Sequence, residues 1–253
     1  MKNIILSGLV MVSAVGVVMA AEESKPAAPV APWNTTVGAG VNLSRGNTKS
    51  MLLNGSVVSE FKKDKNEAKV GVEGNYGETE VTLADKTKET QGNVENSRAF
   101  ADYRRLLNER TYGYLSGEVR NDNIAKIDYR AMVGPGIGQY LLKSDRQNLA
   151  VEIGATYIME SVDGVKDEKP ALRLGERYDL KVGDASKIWE SVEFLPAFQD
   201  FGDYLMNAEV GAEAAMNTRL SLRLVLQDKY DSTPGAGLKK NDLVVIGGLV
   251  YKL

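Results

Sequence analysis

Apolar and polar residues alternate with a period of two through most of the chain beyond residue 32. The first alternating run carries its least polar side chains on one face, at Trp33, Thr35, Val37, Ala39, Val41 and Leu43. Successive side chains of a β-strand point to opposite faces of a sheet, so this pattern predicts a strand with one apolar and one polar face. Twelve such runs predict strands near residues 33–45, 50–61, 67–79, 92–106, 111–121, 127–141, 148–160, 170–182, 187–197, 204–215, 219–230 and 242–253.

Some of these strands carry apolar residues on both faces, namely 50–61, 92–106, 111–121 and 187–197. Alternation alone does not determine the register of such strands, because a shift by one residue moves every side chain to the other face.

The connections between the predicted strands alternate between short polar turns and longer loops. The longer loops are expected chiefly at 80–91, 161–169 and 231–241. An up-and-down antiparallel sheet whose two ends face different compartments has this arrangement. The prediction is an all-β fold: a transmembrane up-and-down antiparallel β-barrel of about 12 strands, with both termini on the periplasmic, short-turn side.

The aromatic residues fall near the ends of the predicted strands. Those near the short turns are Trp33, Phe61, Tyr103, Tyr112, Tyr178 and Tyr251, and those near the longer loops are Tyr76, Tyr129, Tyr157 and Tyr204. Amphipathic rings favour the boundary between water and lipid, so two aromatic girdles are expected on the outside of the barrel.

Alternation also fits a soluble exported β-barrel or sandwich that binds a small apolar ligand, because such a fold likewise has one apolar face. The two alternatives differ in which face points inward. A membrane barrel places Val70, Val72 and Ile153 on the outside, whereas the soluble alternative places them around the axis.

The N-terminal segment has the features of a secretory signal peptide. Lys2 precedes an apolar stretch, and small residues at Val18 and Ala20 predict cleavage after Ala20. Residues 1–20 are therefore the expected signal peptide, 21–32 a Pro-rich linker and 33–253 the barrel domain. After Ala20 no run of about 18 apolar residues remains, so no membrane-spanning helix is expected.

The 253-residue chain contains no Cys and no His. These two absences exclude a Ser-His-Asp triad, a thiol nucleophile, a disulfide, an iron–sulfur cluster and the usual zinc sites. No enzymatic activity, cofactor or metal site is predicted. The formal net charge of −3 also argues against nucleic-acid binding, which needs a basic surface.

The polar faces of the strands carry the candidate functional residues. The expected lumen-lining side chains are Lys69, Glu73, Arg98, Asp102, Arg104, Asp128, Arg130, Glu152, Glu160, Arg173, Arg177, Asp179, Glu209, Glu213, Arg223 and Lys229. Both signs of charge are present in similar number. Two interpretations remain open: a lattice of ion pairs that fills a narrow barrel, or a polar conduit with little charge selectivity.

Three local features stand out within the predicted strands. Pro135 removes a hydrogen-bond donor, so a bulge or a local break is expected there. Glu176 falls on the nominal lipid face, which requires either a position near an interface or a register shift by one residue. The glycines of 134–138 precede no helix, so we expect them to let large neighbours pack against bare backbone or to let the sheet bend, rather than to bind phosphate.

Several ordered stretches carry a resemblance to a known family. They are 40–48 (GVNLSRGNT), Asp102-Tyr103-Arg104 with Asp128-Tyr129-Arg130, 134–140 (GPGIGQY), and the region from Tyr230-Asp231-Ser232-Thr233-Pro234 through Asp242 to Leu253. The chain resembles the salt-induced outer membrane protein family of Gram-negative bacteria, otherwise a domain of unknown function. The resemblance implies an outer-membrane β-barrel that contacts outer-membrane lipid and the assembly machinery, and it supplies no catalytic residues to carry over. It also implies a link to salt or envelope stress. The expected role is structural or that of a passive channel for small polar solutes.

Overall fold

The computed structural model describes residues 33–44, 49–82, 88–235 and 237–253. The predicted signal peptide and Pro-rich linker lie outside the described residues. The strands are β1 (Trp33–Ser44), β2 (Lys49–Lys63), β3 (Asn66–Thr82), β4 (Lys88–Leu106), β5 (Thr111–Asp122), β6 (Ile127–Lys143), β7 (Gln147–Val162), β8 (Val165–Val182), β9 (Ser186–Pro196), β10 (Tyr204–Ala215), β11 (Leu220–Asp231) and β12 (Asn241–Lys252).

Each strand pairs antiparallel with its sequence neighbours, and β1 pairs with β12, so the sheet closes on itself. In the closing pair, Thr36 lies opposite Lys252 and Ala39 lies opposite Leu249. A closed sheet satisfies its backbone hydrogen bonds internally and leaves no free edge. The predicted all-β barrel of twelve antiparallel strands is confirmed. No helix in the described part of the chain is long and apolar enough to cross a bilayer.

The connection between β7 and β8 differs from the expectation of a loop over 161–169. Both strands continue to a two-residue turn at Asp163 and Gly164, whose φ angles are 53° and 77°. Asp-Gly favours this turn because both positions need positive φ, and the twist of such a turn matches that of the flanking strands. Strands β3 and β4 likewise extend into the loop expected at 80–91, whereas the loop expected at 231–241 is confirmed within its described residues.

The apolar face of the sheet points outward. Val70, Val72 and Ile153 are 39%, 54% and 57% exposed, while the side chains at alternating positions meet inside the barrel. The soluble alternative, which needs apolar side chains around the axis, is therefore wrong for the described strands. An exterior of this kind is expected to be stable in hydrocarbon rather than in water.

Most of the predicted girdle aromatics lie on the outer face. Near the short turns the rings of Trp33 and Phe61 pack at a centroid distance of 5.1 Å, and near the longer loops those of Tyr204 and Tyr230 stack at 5.5 Å. Tyr112 is an exception, because its side chain points into the lumen and is only 1% exposed. The prediction for Tyr112 is wrong, since β5 carries apolar residues on both faces and alternation did not determine its direction.

Neither Pro135 nor Glu176 shifts the register of its strand. The β6–β7 ladder has no paired residues at Gly134 and Pro135, but its register is the same on both sides of this gap. The bulges of β6 lie elsewhere, next to Tyr129 and next to Leu142. Glu176 lies on the outer face without a register shift, two positions from Tyr178.

Candidate functional site in the barrel lumen

Aromatic side chains lie flat over glycines on neighbouring strands inside the barrel. The directly opposed pairs are Tyr112 with Gly138, Tyr114 with Gly136, Phe100 with Gly71 and Trp189 with Gly211. A Cβ atom at any of these glycines would lie only 2.1–2.5 Å from the facing ring. The glycines therefore provide the space for the rings, which confirms the expectation for the glycines of 134–138 in the cases of Gly136 and Gly138.

Glu152 is the centre of an ion-pair lattice in the lumen. Its carboxylate lies 3.0 Å from Arg104 Nη2 and 2.7 Å from Arg173 Nη1, and it accepts a hydrogen bond from Tyr112 Oη at 2.7 Å. The lattice continues from Arg173 Nε to Glu193 at 2.6 Å. Burial makes such pairs costly to break, because removing one partner leaves an uncompensated charge.

The end of the lumen near the longer loops is obstructed. Arg130 donates hydrogen bonds to Glu160 and, from Nη2 at 2.8 Å, to Asp231 on β11. Lys169 lies 3.5 Å from Glu160 and donates to Asp203 at 2.5 Å. A buried apolar cluster lies on the same walls and consists of Met132, Ile158, Ala171, Leu195 and Leu205.

A cavity of about 340 Å³ occupies the other part of the lumen and extends to the short turn between β10 and β11. One wall of the cavity includes a group of neutral polar side chains, namely Asn34, Thr36, Asn54, Ser56 and Asn75. Oδ1 of Asn34 and Nδ2 of Asn54 are buried without a hydrogen-bond partner among the described residues.

The opposite wall of the cavity carries charged side chains that pair with one another. Arg223 Nη2 lies 2.7 Å from Glu213, and Arg177 binds Asp179 through two hydrogen bonds of 2.7 and 2.9 Å. Glu209 accepts hydrogen bonds from Trp189 Nε1 at 2.6 Å and from Gln227 at 2.9 Å. The field inside the cavity is therefore mixed in sign.

The structure places most of the predicted lumen residues in three groups. The cavity wall contains Lys69, Glu73, Arg177, Asp179, Glu209, Glu213 and Arg223. Arg104, Glu152 and Arg173 form the lattice, and Arg130 and Glu160 lie at the obstructed end. Arg98 contacts Glu73, and Asp102 lies opposite Lys69 in the sheet. Lys229 also points inward, on β11 beyond Gln227.

Asp128 differs from the prediction. It occupies the bulge of β6 next to Tyr129, and its exposed carboxylate accepts hydrogen bonds from Ser161 Oγ and from the backbone of Gly164. It stabilises the tip of the β7–β8 hairpin rather than joining the ion pairs of the lumen.

Sequence reasoning missed several inward-facing charges. Glu118 and Arg120 follow the period of two on β5, and Glu193 follows it on β9, but both strands lacked a clear polar face in the sequence. Asp203 and Lys169 were missed because both fall in segments expected to be loops or strand ends. Within the described residues, no group of three or more carboxylates converges as metal ligands would.

Two solved channels share this fold. A NanC porin matches with a TM-score of 0.53 and 8% identity, over 87% of this chain and all of that one. The COG4313 outer membrane channel from Pseudomonas putida F1 matches with a TM-score of 0.51 and 11% identity, over 91% of this chain and all of that one. At these identities the likeness shows a common fold.

The sequence profile of one family, described as "Protein of unknown function, DUF481", matches residues 37–253. No curated protein sequence matches the chain significantly. The family description does not mention salt, so the link to salt stress stays a prediction.

Proposed function

Because the chain belongs to the DUF481 family, whose function is unknown, we propose its function from the barrel itself: an integral outer-membrane protein whose lumen is a narrow passive route for small polar solutes. The outward rows of apolar side chains support a lipid environment, since hydrocarbon offers no hydrogen bonds and favours a closed sheet. Outer-membrane lipid and the outer-membrane assembly machinery are its expected partners. A role in salt or envelope stress is part of the proposal only through the family resemblance.

The observation that carries this proposal is the polar cavity inside the closed barrel. Its volume of about 340 Å³ lies within the range of about 300–1,000 Å³ that small-molecule sites occupy. Both signs of charge line it, which favours weak selectivity between small cations and anions.

The obstructed end of the lumen limits this route. A solute that crosses the barrel must pass the contact between Arg130 and Asp231 and the apolar cluster around Ile158. We therefore expect low conductance, with transient opening of this contact during each passage. The second candidate function is a purely structural barrel, which the lattice around Glu152 favours because it fills part of the lumen.

Cell fractionation and heat-modifiable migration on detergent gels test the membrane assignment. Planar-bilayer recordings then test conduction with a matched pair of variants. Ser56 lines the cavity opposite Gly38, so a Trp at position 56 can lie over bare backbone as Trp189 does over Gly211. Val57 is its outward-facing neighbour and is 43% exposed.

The expected result is a small conductance in the wild-type protein and in Val57→Trp, with a strong decrease in Ser56→Trp. Equal conductance in all three proteins would mean that the current does not pass through the cavity. No conductance in the wild type, together with none in a variant that opens the Arg130–Asp231 contact, would favour the structural barrel.

A further inference from the structure

Three arginines stand side by side on the inner wall of the barrel. Arg98 on β4 lies directly opposite Arg120 on β5, and Arg120 lies directly opposite Arg130 on β6. Directly opposed side chains in antiparallel strands are about 5 Å apart at Cβ, and like charges in such pairs are destabilising. Positive and negative charges are similar in number over the whole lumen, but these three cations are adjacent to one another.

The two outer arginines have carboxylate partners. Arg98 binds Glu118 at 2.7 Å and Glu73 at 3.4 Å, and Arg130 binds Glu160 and Asp231. Each of these guanidinium groups is thus compensated by two carboxylates, as buried or half-buried charges require.

Arg120, the middle arginine, has no comparable compensation. Its side chain is 9% exposed, and its Nε atom is buried without a hydrogen-bond acceptor among the described residues. Its salt-bridge contact in this part of the chain is Glu118 at 4.0 Å, and that carboxylate already binds Arg98. Arg98 and Arg130 both repel the Arg120 charge, whereas Glu118 and Glu193 attract it without accepting a hydrogen bond from it.

Lys229 on the facing strand β11 adds a further cation. Its charge is repelled by those of Arg120 and Arg98 and attracted by those of Asp122 and Glu118, but no carboxylate of the described residues lies within salt-bridge distance of it. The barrel therefore has cations on two walls directed at one region of the lumen.

We propose that the Arg98–Arg120–Arg130 row, with Lys229 opposite, binds an oxyanion inside the barrel. A guanidinium group presents two parallel N–H donors that match a carboxylate or a phosphate, and an anion here would compensate the Arg120 charge. The side chain of Arg98 is 38% exposed, and its partner Glu73 lines the cavity. The cavity thus extends to the partner of Arg98, at one end of the row.

The class of ligand is an oxyanion, and a carboxylate-bearing and a phosphate-bearing solute share this chemistry. Acetate represents the planar group, whereas inorganic phosphate and sulfate represent the tetrahedral one. An anion can bind at this site whether or not the barrel conducts. Binding is measured at equilibrium in the folded protein, so the test does not depend on conduction.

The test uses the full chain folded in a nonionic detergent and titrated with phosphate, sulfate, acetate or chloride at constant ionic strength. Isothermal titration calorimetry gives the affinity. We expect at least one oxyanion to bind the wild type better than chloride, and Arg120→Met to weaken that binding by about tenfold or more, as for loss of a charged hydrogen bond. Arg120→Lys keeps the charge but loses the two parallel N–H donors, so its affinity for the oxyanion should lie between those of the wild type and Arg120→Met.

Arg110→Met is the matched control, because it removes a guanidinium group from the exposed turn between β4 and β5, outside the lumen. It should bind the oxyanion as the wild type does. Binding no stronger than that of chloride, or an Arg120→Met protein that folds and keeps its affinity, would overturn the proposal. If Arg120→Met does not fold, as judged by heat-modifiable migration, unchanged affinity of Arg120→Lys would overturn it instead. Conductance is recorded in a separate experiment. A barrel that binds oxyanions but does not conduct would contradict only the proposed channel function.

Discussion

Arg130 on β6 and Asp231 at the end of β11 form an ion pair through the lumen, with Nη2 and Oδ2 at 2.8 Å, although 101 positions separate them in the sequence. Their strands lie nearly opposite each other in the closed order of twelve. This contact joins two walls of the barrel, whereas most ion pairs in the lumen join neighbouring ones. Together with the Lys169–Asp203 pair and the buried apolar cluster, it narrows the loop end of the lumen.

Replacing Asp231 with Asn should open this end of the lumen. The variant removes the charge that holds Arg130 across the barrel, while Glu160 still binds Arg130. We expect a larger or more frequent conductance in planar bilayers and a loss of about 1–3 kcal/mol in unfolding free energy. Asp179→Asn makes the same chemical change in the wide part of the lumen and should not relieve the obstruction. Unchanged conductance in Asp231→Asn would mean that this ion pair does not limit passage.

Gly138→Ala should destabilise the barrel much more than Gly113→Ala. A Cβ atom at Gly138 would lie 2.3 Å from the Tyr112 ring, whereas at Gly113 the nearest atom is 4.0 Å away. Overpacking of this kind costs about 1–3 kcal/mol. Urea unfolding in detergent micelles measures both variants. Combining Gly138→Ala with Tyr112→Ala should recover part of the loss if the ring is the cause. Strictly additive effects would argue against this contact.

Glu152→Gln should be strongly destabilising, since a neutral amide leaves Arg104 and Arg173 without their shared carboxylate. The expected loss in unfolding free energy is about 3 kcal/mol, typical of breaking a buried ion pair from one side. Glu109→Gln, in the exposed turn between β4 and β5, serves as the control and should change stability by less than about 0.5 kcal/mol. A similar stability of both variants would show that the lattice contributes little.

The loop between β9 and β10 should loosen in acid. Burial by itself would raise the pKa of Asp203, but hydrogen bonds from Lys169 and Thr233 outweigh it and hold this pKa below the ordinary value of 3.8. A depressed carboxylate pKa contributes stability that is fully present above the unfolded pKa and is lost as the pH falls through the folded one. Hydrogen exchange of the loop should thus increase below about pH 3.8.

Asp203→Asn is the matching variant for this acid effect. It should show fast exchange of the loop already at neutral pH and little further change in acid. A wild-type loop whose protection does not change between pH 5 and pH 2.5 would contradict the assignment.

Alternation predicted the direction of Val70, Glu73 and Ile153, because their strands have one clearly apolar face. It did not predict Tyr112 or Arg120 on β5, where apolar side chains occur on both faces. The turn at Asp163 and Gly164 was recognisable from its residue types, but the long polar segment around it was interpreted as a loop.

The sequence by itself determined the strands, the closed sheet and the inward position of most charges. These depend on local periodicity and on the different media that contact the two faces of a strand. Only the tertiary structure decided which inward side chains meet, such as Arg130 with Asp231 or Arg98 beside Arg120. The reason is physical: these contacts depend on the register of every strand and on the closure of the barrel, and both are properties of the whole sheet.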